Sequence, residues 1–218
     1  MTFSSGNSRT VGQNVNYHSF QSSQYTITVA ALDQDGGISY FSTPGAAILV
    51  AAPGSGIYTT DVTGSGGYNA GDYEFLSGTS FSSPAPMVIP GDSGFSSQWH
   101  LQNLIYPGID LNVTDVWDDY RGNGVVVGVI DTGIDYNHSD LNPNYRFDLD
   151  YDARSGDNDS YASSSDDKHG TAVAGVIGAT FGNGNVVGVA PGADITGFRV
   201  GFGSGTEGQT LTQFQNMA

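Results

Sequence analysis

The chain has 218 residues, enough for one substantial α/β or all-β domain or for two small ones. Its 6 basic and 22 acidic residues give a formal net charge of −16. This charge argues against nucleic acid or an anionic membrane as partner, because both require clustered Lys and Arg. The chain has no cysteine, which excludes disulfides and thiolate metal sites. The first residues lack the basic and apolar regions of a signal peptide, so a secreted parent protein would carry its targeting segment elsewhere.

The first half of the chain predicts two strands. Residues 1–24 are polar and lack periodicity, which indicates a loop. Residues 25–31 and 46–52 are apolar and partly β-branched, and turn signals follow each of them. The second run is unbroken, which predicts a strand buried on both faces of a parallel sheet. Residues 54–76 are Gly-rich and predict a loop.

The second half predicts two further strands and a helix. Residues 87–124 are irregular, with short helices predicted at 98–104 and 113–120, and residues 125–131 form the strongest predicted strand. The acidic segment 148–168, with Asp157, Asp159, Asp166 and Asp167, indicates a solvated surface loop. Helical spacing begins at His169, and another strand is predicted at 194–200. Alternating strands and helices predict an α/β fold with a mostly parallel sheet and helices on both faces.

Three short blocks carry residues suited to nucleophilic catalysis. Ser80 lies in Gly78-Thr79-Ser80-Phe81-Ser82-Ser83-Pro84, where small residues flank a serine that a base and an oxyanion donor would have to activate. Asp131 ends a predicted strand, and His169 opens a predicted helix. In open parallel sheets, chemistry collects at the carboxyl ends of strands and the adjacent helix N-termini.

Together these blocks resemble the three active-site motifs of the subtilisin-like serine proteases, and segments 25–29, 98–103 and 107–113 are similar to the kexin and furin branch. The resemblance implies Ser80 as nucleophile, His169 as general base and then acid, and Asp131 as the carboxylate that orients the imidazole. It also implies Asn7 as the donor to the oxyanion. The implied protein is a secreted serine endopeptidase that acts on polypeptides through an acyl-enzyme.

The resemblance further implies a structural calcium ion. Asp110 and Asp140 match the carboxylate ligands, and Asn183 lies in the loop that would supply further oxygen atoms. The alternative is a capping role for one aspartate and a solvated loop for the rest. Where the family has an acid that selects a basic substrate residue this chain has His18, so cleavage after paired basic residues is not predicted.

The order of the motifs is rotated. The family order is Asp, His, Asn, Ser, whereas this chain has Asn7, Ser80, Asp131 and His169 in that order. Residues 1–86 are therefore predicted to be the later part of a protease domain and residues 87–218 its beginning, together one globular domain that is permuted or incomplete. The α/β-hydrolases share the Ser, Asp, His order, but they require Gly-x-Ser-x-Gly, which this chain lacks around its serine.

Two segments of the family domain are not recognised in the chain. One is the stretch expected after Ala218, which comprises the rest of a helix, the edge strand that binds the substrate backbone and most of the strand leading into Asn7. The other is the long helix that the nucleophile should open. Pro84, Pro86 and Pro90 interrupt the sequence where that helix is expected. We expect a complementing segment or a second copy to supply what is missing. The alternative function is a catalytically impaired fragment or binding domain that retains the scaffold.

Overall fold

A computed structural model describes residues 2–82, 91–114, 116–117, 119–182 and 184–201. The prolines predicted to break the helix after Ser80 lie outside this part, and so does Asn183. The chain divides into two compact units. Unit 1 comprises Met1–Tyr58, Phe75–Ile89 and Ser96–Tyr120, and unit 2 comprises Thr59–Glu74, Pro90–Phe95 and Arg121–Ala218.

Strands and one α-helix make up the regular structure of the described residues. The strands are β1 (Thr2–Ser4), β2 (Ile27–Leu32), β3 (Ile48–Pro53), β4 (Ile57–Thr60), β5 (Tyr73–Leu76), β6 (Val126–Asp131), β7 (Tyr151–Asp152) and β8 (Asp194–Arg199). The α-helix is α1 (Lys168–Gly178). Short 3-10 turns lie at Arg9–Val11, Val15–Tyr17, Gly64–Gly66, Thr79–Phe81, Phe95–Ser97 and Asn142–Asn144. The bounds of β2, β6, β8 and the start of α1 lie within two residues of those predicted from the sequence.

Unit 1 is built on a parallel sheet of β1, β2 and β3 with β2 in the centre. The central strand buries Val29, Ala30 and Ala31, whose small side chains suit a strand with neighbours on both sides. The prediction that β3 is buried on both faces is wrong, because Leu49 is 69% exposed and Val50 48% exposed. Within the described part of the chain β3 pairs only with β2, so it is an edge strand.

Two segments predicted as loops contain strands. The first 24 residues include β1, which pairs with β2, and the Gly-rich segment 54–76 contains β4 and β5, which form a two-stranded sheet. The rings of Tyr58 and Phe75 pack 4.7 Å apart on this sheet. Conversely, the short helices predicted at 98–104 and 113–120 are turns or irregular structure wherever those residues are described.

Unit 2 contains a parallel sheet of β6, β8 and β7 with β8 in the centre, and α1 packs on β6 and β8. The core between them consists of Val129, Ile134, Leu141, Tyr145, Ala174 and Ile195. The threonines that end β4 fix the helix, since the Thr59 and Thr60 hydroxyls donate to the carbonyls of Ala172 and Thr171 at 2.9 and 2.8 Å. The first turn of α1 is thereby fixed, and this turn carries His169.

The acidic segment 148–168 is only partly the solvated loop that its charge predicts. Asp157, Asp159 and Asp166 are exposed, but Asp167 is buried. Its carboxylate contacts the guanidinium groups of Arg154 and Arg199. Two arginines, Arg154 inside the segment and Arg199 outside it, therefore overturn the prediction for Asp167. None of the helices in the described ranges is both long enough and apolar enough to cross a membrane.

His100 is fully buried in unit 1, and neither of its ring nitrogens has a hydrogen-bond partner among the described residues. Burial lowers the pKa of His100 from 6.5 to about 3. The folded protein therefore keeps this imidazole neutral, because a charge without a partner would be costly in the interior.

We expect the substitution His100→Leu to make the stability of the protein less sensitive to acid. The folded-state pKa lies below that of the unfolded chain, so this contribution to stability is present above about pH 6.5 and is lost as the pH falls toward the folded-state value. The loss should be about 1 kcal/mol for each pH unit in that range. Urea unfolding at pH values between 7 and 4 measures it.

The matched control is His18→Leu, which removes the imidazole of a partly exposed histidine of the same unit. If wild type and His100→Leu lose stability equally on acidification, the buried imidazole is not a source of acid sensitivity.

Candidate active site

Asp131 and His169 form a carboxylate–imidazole pair in unit 2. Asp131 is the last residue of β6, and His169 is the second residue of α1. The imidazole Nδ1 lies 2.9 Å from each carboxylate oxygen of Asp131. The Asp131 side chain is 11% exposed and the imidazole 37% exposed, so the pair opens to solvent on the histidine side.

The carboxylate of Asp131 makes the His169 imidazole a stronger base. Burial alone lowers the pKa of His169, but the hydrogen bond to Asp131 and the charge of that carboxylate outweigh burial and raise the pKa above its ordinary value. The carboxylate also assigns the proton of the neutral ring to Nδ1, which makes Nε2 the basic nitrogen. The arrangement can therefore take up a proton at Nε2 and stabilise the imidazolium that results.

Thr132 joins the two segments that carry the pair. Its backbone N–H donates to the Asp131 carboxylate at 2.7 Å. Its hydroxyl donates to the carbonyl of Asp167 at 2.8 Å and accepts the N–H of Gly170 at 3.1 Å. One side chain thus bonds to the backbone on both sides of His169. This role was not predicted from the sequence, although Thr132 directly follows Asp131.

Ser80 lies in unit 1, in the 3-10 turn Thr79–Phe81, and is half-buried. The N–H of Gly78 donates to the carbonyl of Gly54 at 2.8 Å, which fixes this turn against the end of β3. Gly54 has no room for a side chain, since an added Cβ would overlap Ser82 Oγ and lie 2.7 Å from Ala31 Cβ. The serine turn therefore depends on a glycine at the sheet end.

Asn7 lies beside the same turn. Its side-chain oxygen accepts hydrogen bonds from the backbone N–H and the hydroxyl of Thr79 at 3.0 and 3.1 Å, and the N–H of Gly6 donates to that hydroxyl at 3.1 Å. Asn7 and Ser80, far apart in sequence, are thus brought together in unit 1. Because the amide oxygen is bonded to Thr79, Nδ2 is the donor end of the Asn7 side chain.

Lys168, which directly precedes His169, and Tyr68 were not predicted as site residues from the sequence. The ammonium of Lys168 lies 4.4 Å from the centroid of the Tyr68 ring. Burial raises the pKa of Tyr68, and the charges of Asp61 and Asp131 raise it further. Tyr68 comes from a Gly-rich segment 100 residues before Lys168, so nothing local in the sequence indicates the contact.

Asp140, one predicted calcium ligand, is fully buried in unit 2. Its carboxylate accepts the Tyr73 hydroxyl at 3.1 Å and the N–H groups of Asn185 and Val186 at 3.3 Å each. Burial and the Asp140 charge raise the pKa of Tyr73 to about 12, which keeps the phenol a donor. No cationic side chain pairs with Asp140 among the described residues. In charge and burial this carboxylate fits a bound cation.

The two other predicted calcium ligands are Asp110 and Asn183. Asp110 belongs to unit 1, where its carboxylate accepts the N–H groups of Asn103 and Asn112 at 2.7 Å each, which is a capping role. Asn183 lies outside the described residues. Within the described ranges no three acidic or histidine side chains come together as a metal cluster.

Sequence comparison identifies the family. The profile of the subtilase family matches residues 1–85 and 122–217. The chain therefore belongs to the subtilase family, a family of serine-type hydrolases. This confirms the predicted family and the subtilisin-like α/β fold class.

The curated relatives belong to the kexin-like branch. Neuroendocrine convertase 2 of Bos taurus is 42% identical over 119 residues, which cover 50% of this chain and 18% of that protein. Kexin of Saccharomyces cerevisiae is 42% identical over 112 residues, which cover 50% of this chain and 14% of that protein. A solved serine protease of Aeromonas sobria aligns over 60% of this chain and 23% of its own, with 26% identity and a TM-score of 0.49. The chain thus spans less than a fifth of the length of these two curated relatives.

Asp131→Asn is expected to lower the pKa of His169 below 6.5. The substitution removes the charge that opposes burial while leaving the ring in the same half-buried place. An NMR titration of the imidazole protons measures the change without any need for turnover. The exposed Asp157→Asn serves as the control and should leave the titration unchanged; a His169 pKa that stays raised in Asp131→Asn would show that another group is responsible.

Proposed function

We propose that this chain is the catalytic part of a serine endopeptidase that hydrolyses polypeptides through an acyl-enzyme. The observation that carries the proposal is the pair of Asp131 and His169, because a carboxylate bonded to Nδ1 is the arrangement that makes Nε2 a base for a serine hydroxyl. Membership of the subtilase family supplies the class of reaction. Ser80 is the proposed nucleophile.

In the first half of the proposed reaction, His169 Nε2 takes the proton of the Ser80 hydroxyl while Oγ attacks the carbonyl carbon of the substrate. The C–N bond then breaks, and His169 gives that proton to the leaving amine. In the second half a water attacks the acyl-enzyme with His169 again as base, which releases the carboxylic acid and restores Ser80. Asp131 holds the tautomer and stabilises the imidazolium without taking the proton itself.

Asn7 is proposed to donate from Nδ2 to the oxyanion that forms on the substrate. Support comes from its side-chain oxygen, which is held by two donors of Thr79 and so fixes the plane of the amide next to the serine turn. A donor fixed before the reaction stabilises the developing charge without reorganisation.

Serine-directed labelling tests this proposal. We expect a fluorophosphonate probe to modify Ser80 in the wild type, no labelling in Ser80→Ala, and peptidase activity reduced by about 10⁴-fold or more in His169→Ala. Asn7→Ala should lower kcat by about 10²–10³-fold, because it removes one oxyanion donor. The exposed Ser97→Ala is the matched control and should be labelled like the wild type.

A folded wild-type protein that the probe does not label would contradict the proposal and would support the alternative, a catalytically impaired domain that keeps the scaffold. Near-ultraviolet circular dichroism of the same sample separates this outcome from misfolding.

Substrate, partner and location follow only from the proposed activity. We propose polypeptide substrates, a secreted or extracellular location, and a complementing segment or second copy as partner. The division of the chain at residue 86 into a later and an earlier part of one protease domain stays a prediction.

We further propose that Asp140 belongs to a structural calcium site, as calcium is common in the family. Support comes from the burial of the carboxylate and from its position against the segment 184–186, where an added Cβ on Gly184 would overlap the Asp140 carboxylate. Calcium prefers oxygen ligands, so carbonyl or side-chain oxygens would have to complete the set. Asp110 and Asn183 remain the predicted candidates.

Removal of calcium should lower the melting temperature of the wild type and leave that of Asp140→Asn unchanged, because only an intact site gains stability from the bound ion. Differential scanning fluorimetry with EDTA and with added CaCl2 measures both. The exposed Asp159→Asn controls for loss of one negative charge in unit 2. A wild-type melting temperature that is independent of calcium would exclude the site.

A further inference from the structure

Arg199 is a buried cation to which the proposed catalytic mechanism gives no role. It is the last residue of β8, and the parallel register pairs it with Asp131 at the end of β6. Its side chain is only 10% exposed. A buried guanidinium is costly unless its donors are satisfied, so its partners indicate what it does.

The donors of Arg199 reach the two backbone segments that carry the carboxylate–imidazole pair. Nε donates to the carbonyl of Thr132, the residue after Asp131, at 3.2 Å. Nη2 donates to the carboxylate of Asp167, the residue two before His169. One planar group is therefore bonded to the segments of both members of the pair.

The remaining donors of Arg199 hold the acidic segment 148–168. Nη1 donates to Asp152 at 2.9 Å, and Nη2 donates to Ser163 at 2.9 Å. The Asp152 side chain is 1% exposed and that of Asp167 is 4% exposed, so both ion pairs are shielded from water. Shielded, charge-assisted hydrogen bonds are stronger and geometrically stricter than exposed ones.

We propose that Arg199 is a positioning residue for the Asp131 and His169 pair: by bonding to Thr132 and Asp167 at once, it sets the geometry between the carboxylate and the imidazole. The inference rests on the catalytic roles proposed above for that pair. The rigid fork of an arginine suits this task, because it fixes the direction of each bond, whereas a lysine ammonium supplies the charge without the fork.

A second arginine of unit 2 provides a matched comparison. Arg146 also pairs with two aspartates, Asp148 at 2.6 Å and Asp194 at 3.3 Å. Asp194 is the first residue of β8, so Arg146 lies at the opposite end of the strand that Arg199 ends. The Arg146 side chain is 36% exposed. An effect common to both arginines would be structural, whereas an effect confined to Arg199 would concern the pair.

The test compares Arg199→Lys with Arg146→Lys. In Arg199→Lys we expect the pKa of His169, measured by NMR titration, to fall from its raised value toward 6.5. We also expect kcat to fall about 10–100-fold with KM within about twofold, because small errors in the geometry of catalytic groups act mainly on the chemical step. The acid limb of the pH profile of kcat/KM should move to lower pH. Arg146→Lys should change none of these.

A folded Arg199→Lys protein whose His169 pKa and kcat equal those of the wild type would overturn the inference, and so would equal changes in both variants. Should Arg199→Lys fail to fold, Asp152→Asn weakens one arm of the fork while keeping an oxygen acceptor. It should lower the His169 pKa in the same direction by a smaller amount, and no change there would also overturn the inference. If the fluorophosphonate probe does not label the wild type, the proposed function fails, but the titration of His169 still decides the role of Arg199.

Discussion

The parallel pairing of β6 with β8 is the constraint on which the organisation of unit 2 depends. Because the two strands run in the same direction and in register, Asp131 and Arg199 end side by side at one edge of the sheet. The carboxyl ends of parallel strands are where loops and helix N-termini converge, and α1 presents His169 at that edge. A slip of one residue in this register would put the two side chains on opposite faces of the sheet.

Unit 1 also places its candidate site residues beside the ends of parallel strands, with fewer polar groups. The serine turn is fixed to the end of the β2–β3 pair by the bond from Gly78 to Gly54, and Asn7 follows β1 in the same sheet. Here Gly54, which leaves no space for a Cβ, and the Asn7 amide, which is bonded to Thr79, hold the serine turn in place. In unit 2, Arg199 and Thr132 hold the segments of the carboxylate–imidazole pair. Each unit thus fixes its candidate site residues through backbone contacts at a strand end.

Local sequence signals predicted the elements that a single run of residues determines. The strands β2, β6 and β8 and the start of α1 follow from apolar runs and helical spacing, and the motifs around Ser80, Asp131 and His169 predicted the family. The exposure of β3 could not be predicted, since an apolar run does not reveal whether a second neighbour will pair with it. The strands β4 and β5 were missed because surrounding glycines indicate a loop.

The wrong prediction that Asp167 is solvated has a different cause. Charge counting treats an acidic segment as solvated, but a buried arginine more than 30 residues away reverses that expectation. Contacts of this kind are set by the topology of the sheet, so the sequence of one segment alone does not predict them. The roles of the candidate site residues depend on the same long-range geometry, which is why they stay predictions.

Because the chain has few basic residues, the ion pairs of Arg199 with Asp152 and Asp167 are decisive for the electrostatics of unit 2. The chain has 6 basic residues against 22 acidic ones. Arg146 and Arg154 are at least a third exposed, so their ion pairs are partly screened by water. The pairs of Arg199 with Asp152 and Asp167 are shielded, and removing the guanidinium would leave the buried Asp152 carboxylate without a cationic partner among the described residues and Asp167 with Arg154 alone. The energetic cost would therefore fall on the loop ends beside Asp131 and His169, which couples the stability of this edge to the geometry of the pair.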